Sequence, residues 1–127
     1  MDQLRILLVD DEADLVLTLA ERLALRGFQV ETATSGADAL RHVSEGDFSV
    51  LLLDVKMPGI GGMELMAEIK QKHADLPVIL FTGHGSVADA ERGMREGAFD
   101  YLMKPIDIGE LIEKIGNAVG RMEGRTS

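Results

Sequence analysis

Short apolar runs recur along this chain, and between them lie longer amphipathic stretches; this alternation constrains the fold more than any other feature. The runs are "RILLVD" (5–10), "FQVETA" (28–33), "SVLLLD" (49–54), "PVILFT" (77–82) and "AFDYLM" (98–103). Three of them are nearly continuous Leu, Ile and Val, the composition of strands covered on both faces, as in a parallel sheet. The stretches between them carry helical stripes: Leu15, Leu19, Ala20 and Leu23; Leu65, Met66 and Ile69; Ile108, Leu111, Ile112, Ile115 and Val119. Ser35 with Asp38, Ser86 with Asp89 and Asp107 with Glu110 have the spacing of helix-capping boxes. Gly27, Gly46 and Gly97 fall just past predicted helices, where left-handed C-caps are expected. Five βα units in a row predict an α/β fold, a parallel sheet with helices on both faces. Residues 1–120 read as one domain, and "GRMEGRTS", having lost the apolar stripe, reads as a frayed polar tail or the start of a linker over 121–127.

Composition narrows the setting. A chain of 127 residues with 46% hydrophobic content can build one core. Its 22 acidic and 13 basic residues leave a net charge of −9, which disfavours wrapping a phosphate backbone, so no direct nucleic-acid binding is expected. The chain has no cysteine, which removes disulfides and thiolate metal sites and suits an intracellular protein. "MDQLRILLVDDE" is not a signal peptide, and no apolar run approaches the roughly 20 residues that span a bilayer. A cytoplasmic location with no membrane contact is expected.

Several polar residues close the predicted strands. Asp10 and Asp11 follow the first, Asp54 ends the third, Thr82 ends the fourth, and Lys104 follows the fifth, with Pro105 behind it. In an open α/β sheet these ends border the ligand crevice. Three converging carboxylates repel one another unless a cation sits among them, and oxygen-only ligation favours Mg²⁺, then Mn²⁺ or Ca²⁺. With a hydroxyl and an ammonium alongside, the set suits a phosphoryl group held beside a metal.

"LLVDDE", "LLLDVKMPG", "FTGHG" and "GAFDYLMKP" resemble, in order and spacing, the signature segments of response regulator receiver domains from two-component signalling. The resemblance covers about residues 4–119. "TGHG" followed by "GAFDYLMKP" is most similar to receivers that precede sigma-54-activating ATPases in the nitrogen-regulator group. The family implies a flavodoxin-like sheet of order 2-1-3-4-5. By resemblance, Asp54 is the phosphoacceptor, Asp11 a direct Mg²⁺ ligand, and Asp10 an acid that binds largely through metal-held water. The Lys56 backbone carbonyl completes the protein ligands. Thr82 matches the switch hydroxyl, Lys104 the ammonium that pairs with acceptor and phosphoryl group, and Tyr101 the aromatic that changes rotamer. The Lys104–Pro105 bond is expected to be cis. The implied partners are a sensor histidine kinase or phosphotransfer protein, and an output domain or second copy at the helix 4/strand 5/helix 5 face around Val87, Ala90 and Met94. Such a domain is regulatory, catalysing only its own phosphotransfer and dephosphorylation.

Other readings compete with this one. Taken alone, Asp10 and Asp11 read equally well as an N-cap pair for the first helix. A phosphatase using an Asp nucleophile normally wants a second acid two residues on, where Lys56 stands, and a flavin site would be repelled by "DDEAD". A phosphorylation-independent module usually lacks part of the acidic set. Gly61 stands where many receivers carry an acid or amide; it is an acceptable N-cap, with local mobility expected. Gly59, Gly61 and Gly62 read as turn residues, the seven methionines as core filler, and His42 and His73 as solvated. His84, two residues past Thr82, is either a local modulator or a plain loop residue; with Lys56 it is expected to set the phosphate lifetime.

Overall fold

The computed structural model describes residues 4–57, 59, 61–83 and 87–126, with side chains described as far as residue 120. Among these, five strands alternate with five helices: β1 (Arg5–Val9), α1 (Ala13–Ala24), β2 (Gln29–Ala33), α2 (Gly36–Glu45), β3 (Val50–Asp54), α3 (Gly62–Lys72), β4 (Val78–Thr82), α4 (Val87–Arg95), β5 (Asp100–Met103) and α5 (Ile108–Thr126). All pairings are parallel and the order is β2-β1-β3-β4-β5. This is the doubly wound order expected above.

Alternation along the central strands divides the core in two. Leu7, Val9, Leu51, Leu53, Val78 and Leu80 meet α2 and α3 through Val43, Leu65, Met66 and Ile69. Ile6, Leu8, Val50, Leu52, Ile79 and Phe81 meet α1 and α5 through Leu19, Leu23, Leu111 and Ile115. Strands β3 and β4 are buried along their whole length, because both faces are covered; β2 and β5 lie at the sheet edges, where a mixed composition suffices.

Local signals are realised unevenly. Ser35 Oγ accepts from the Asp38 N–H at 3.2 Å and Asp107 Oδ2 from the Glu110 N–H at 3.1 Å, the expected caps. The Ser86–Asp89 pair rests on a residue outside those described. Gly27 (φ 94°) and Gly97 (φ 115°) are left-handed. Gly46 is not: its φ of −143° is extended, and a Cβ there would meet only the flexible end of Arg5, with Nη2 at 3.1 Å. Within the stretch read as a polar tail or the start of a linker, the α5 backbone stays helical through Thr126. Once a helix is nucleated, each further residue adds a backbone hydrogen bond without a new nucleation cost, so loss of an apolar stripe does not end it.

Candidate functional site

The register of the sheet brings the polar strand ends together. Leu53 pairs with Val9, Asp54 with Phe81 and Thr82 with Met103. The ladder runs slightly past the strands: the Asp10 N–H donates to Ala33 O at 3.2 Å, the Val55 N–H to Phe81 O at 3.0 Å and the Lys104 N–H to Thr82 O at 2.7 Å. Asp10, Asp54, Thr82 and Lys104 therefore line one C-terminal edge on rigid backbone.

Asp10, Asp11 and Asp54 each offer a carboxylate oxygen, and the three lie within 4.8 Å of one another. Asp10 is 0% and Asp54 5% exposed, whereas Asp11 reaches solvent. Burial and the charge of Asp10 push the Asp54 carboxyl up to about 7, against the pull of Lys104 and the Lys56 N–H. Lys104 Nζ is 2.9 Å from Asp10 Oδ2 and 3.6 Å from Asp54 Oδ2. Burial opposes its charge, but the hydrogen bond with Glu12 and the nearby carboxylates of Asp10 and Asp54 outweigh that and hold its pKa above the usual lysine value. Although Asp10 Oδ2 is close to the ammonium, it receives no directed hydrogen bond among the described residues. One ammonium against this many carboxylates leaves the edge short of positive charge. An all-oxygen donor set with an under-satisfied buried oxygen fits a hard divalent cation.

Thr82 is 1% exposed, and its Oγ1 is the other buried polar side-chain atom without a hydrogen-bond partner among the described residues. Leaving a buried hydroxyl unpaired costs about 1–3 kcal/mol, which an incoming acceptor oxygen would recover. Lys56 is exposed, and its N–H donates to Asp54 Oδ1 at 3.3 Å, orienting the carboxylate. Tyr101 lies half-buried on β5 against the α2/α3-side core, with Lys114 Nζ 6.0 Å from its ring centre. The Lys104–Pro105 peptide bond is cis. His84 lies outside the described residues.

Other expectations need correcting. Ala90 is buried, so among the described residues the large exposed apolar side chains of the α4/β5 region are Val87, Met94 and Met103. Methionine is accordingly not all core filler: Met57, Met63 and Met66 are buried, Met94 and Met103 are not. His42 is not solvated; its side chain is 19% exposed, with Nδ1 2.9 Å from Glu31 Oε1 and Nε2 3.7 Å from Asp38 Oδ1. His73 is half-buried at the C-terminus of α3. The Glu31 contact of His42 is not revealed by a single sequence, because that partner comes from β2, whereas Asp38 stands one turn away on the same helix.

Sequence reasoning also missed two residues at the site. Glu12, third acid of "DDE", reaches Lys104 Nζ with Oε1 at 2.6 Å. Gly62 opens α3 against the end of β3: a Cβ there would sit 2.3 Å from the Asp54 carbonyl oxygen, while its N–H donates to Val55 O at 2.9 Å. Glycine at 62 is thus required for close approach, beyond its role in a turn.

A family model described as "Response regulator receiver domain" matches residues 6–116. The chain belongs to this family. Transcriptional regulatory protein PrrA of Mycobacterium tuberculosis (strain ATCC 25618 / H37Rv) is 37% identical over 97% of this chain and 52% of its own length. DNA-binding transcriptional regulator NtrC of Escherichia coli (strain K12) is 37% identical over 91% of this chain and 24% of its own. The chain thus spans about half the length of the first of these curated relatives and about a quarter of the second. Among solved structures, a response regulator receiver domain protein from Clostridium thermocellum superposes with a TM-score of 0.91 at 37% identity, covering 94% of this chain and 97% of that one. NtrX from Brucella abortus gives 0.94 at 31% identity, covering 98% of this receiver and 29% of NtrX. Relatives of the nitrogen-regulator group are therefore present, as the sequence resemblance implies.

Proposed function

We propose that this receiver accepts a phosphoryl group on Asp54 from a phosphohistidine of a sensor kinase or phosphotransfer protein, and passes the change to an output surface. The observation that carries the reading is the meeting at one strand edge of buried Asp54, the Lys104 ammonium and the Thr82 hydroxyl, which has no hydrogen-bond partner among the described residues. An Asp54 oxygen attacks phosphorus; the P–O bond forms as the P–N bond breaks, and the electron pair stays on the imidazole nitrogen. The β3 backbone and the Lys56 N–H hold the nucleophile in line. Asp10, Asp11, Asp54 and the Lys56 carbonyl would hold Mg²⁺, which when bound supplies the positive charge that lets two anions approach. Thr82 Oγ1 then donates to a phosphoryl oxygen, and Lys104 pairs with the new charge.

Closure of Thr82 on the phosphoryl group draws its loop inward, and Tyr101 turns further into the core beside it. The exposed Val87, Met94 and Met103 suit this region to contact an output domain or a second copy. The family carries the reading of a cytoplasmic regulator whose catalysis is confined to its own phosphorylation and dephosphorylation; among the described residues no helix is long and apolar enough to cross a membrane.

Mass spectrometry after mixing with Mg²⁺ and acetyl phosphate tests the reading. One phosphoryl group per chain is expected, lost in Asp54→Asn and in excess EDTA; labelling that survives either change refutes it. Thr82→Ala should still be labelled, while the NMR shifts of Tyr101 on adding beryllofluoride fall well short of those in wild type.

A further inference from the structure

The ammonium of Lys104 is bonded away from the acceptor. Its directed hydrogen bond goes to Glu12 Oε1 at 2.6 Å, Asp10 Oδ2 lies at 2.9 Å out of line for one, and Asp54 Oδ2 is farthest at 3.6 Å. We infer that Glu12 is a positioning residue that tethers Lys104 in the unmodified receiver and must release it when Asp54 is phosphorylated. The inference rests on Asp54 being the acceptor.

Glu12 is well placed for this. It is the N-cap of α1, its N–H donates to Asp10 Oδ1 at 3.0 Å, and its carbonyl accepts from the Val16 N–H at 3.0 Å. Its backbone is therefore anchored to the acidic pair, while its side chain makes no capping hydrogen bond and is left to reach Lys104. That side chain is 60% exposed against 18% for Lys104, so water competes for the carboxylate and the contact is easily exchanged. A phosphoryl group adds about 1.5–2 negative charges and three strong acceptor oxygens beside the ammonium, enough to displace one exposed carboxylate. The unmodified and modified states thus compete for a single cation. An exposed ion pair of this kind biases such a competition by about two- to fivefold.

Glu12→Gln should therefore bind beryllofluoride, in saturating Mg²⁺, two- to fivefold more tightly than wild type and be labelled faster by acetyl phosphate. Loss of a negative charge alone could favour anionic ligands, so Asp14→Asn is the control. Asp14 lies in the first turn of α1 but is not one of Lys104's ion-pair partners, which among the described residues are Asp10, Glu12 and Asp54. A gain in Asp14→Asn equal to that in Glu12→Gln overturns the tether, as does no gain in Glu12→Gln. The Lys104 side-chain NMR signal gives a second readout that needs no phosphorylation. It should differ between wild type and Glu12→Gln in Mg²⁺ alone and coincide once beryllofluoride is bound; identical signals without beryllofluoride overturn the tether. A wild-type protein that labels elsewhere than Asp54 refutes the acceptor reading instead, and the Lys104 signal in Mg²⁺ still reports on the contact.

Discussion

Two clusters of charge sit on the same sheet and are built on opposite principles. Where β1 and β2 meet α2, Glu31 pairs with Arg5 and with His42, while Asp38 pairs with Arg41. Arg5 also donates to Asp47 O at 3.3 Å and lies over the Phe48 ring at 4.9 Å. Acids and bases are matched there, and the groups are partly open to water. At the C-terminal edge, Asp10, Glu12 and Asp54 share Lys104 and Asp11 adds a further carboxylate; Asp10 and Asp54 are almost wholly buried, and among the described residues Asp10 Oδ2 and Thr82 Oγ1 lack directed partners. Matched charges hold elements together, whereas a buried surplus of one sign raises the energy of the fold until something of the other sign arrives. The first cluster belongs to the scaffold and the second to the ligand.

The sharpest way to break this contrast is to neutralise one acid in each. Asp54→Asn should raise the stability of the Mg²⁺-free protein near pH 8 by on the order of a few kcal/mol, because it removes the most strained charge. The pH dependence carries the same sign. Asp54 has a raised pKa in the folded state, so its ionisation costs stability progressively as pH rises from the unfolded value near 4 to about 7. Thermal melts of wild type should fall across that window relative to Asp54→Asn, and added Mg²⁺ should flatten the difference. Parallel melting curves for the two proteins would remove the idea of a strained site.

Gly62→Ala comes next, since the added Cβ must displace the backbone at Asp54. A loss of about 1–3 kcal/mol is expected, together with slower labelling by acetyl phosphate. Chemical denaturation that gives wild-type stability would mean that α3 can shift freely. Glu31→Gln should have the smallest effect, a loss within about 1 kcal/mol near neutral pH. Its Arg5 partner leads in lowering the Glu31 pKa, followed by opposing burial and then His42, so the stabilisation is present at neutral pH and lost as pH falls below the carboxylate range. A Glu31→Gln protein that matched Asp54→Asn in sign would erase the distinction between the clusters.

Much of the site was legible because its residues close strands. Asp54 and Thr82 each end an apolar run, and Asp10 and Lys104 follow one at once, so the doubly wound topology alone sends all four to the same edge. Glu12 was visible as a third acid, but its hold on Lys104 spans 92 residues and depends on side-chain reach. Gly62 read as turn chemistry because spacing does not report how closely α3 approaches β3. His42 looked solvated because Glu31 comes from a neighbouring strand.

The sequence by itself determined the order of elements, the two-sided covering of β3 and β4, and the identity of the groups at the strand ends. These follow from periodicity and chain order, which act over a few residues at a time. Only the tertiary structure decided that Gly46 packs beside the Arg5 guanidinium, that Ala90 is covered, and that Lys104 leans toward Glu12. Each of these depends on distances between side chains or backbone segments far apart in the chain, and such distances are set by packing the whole core.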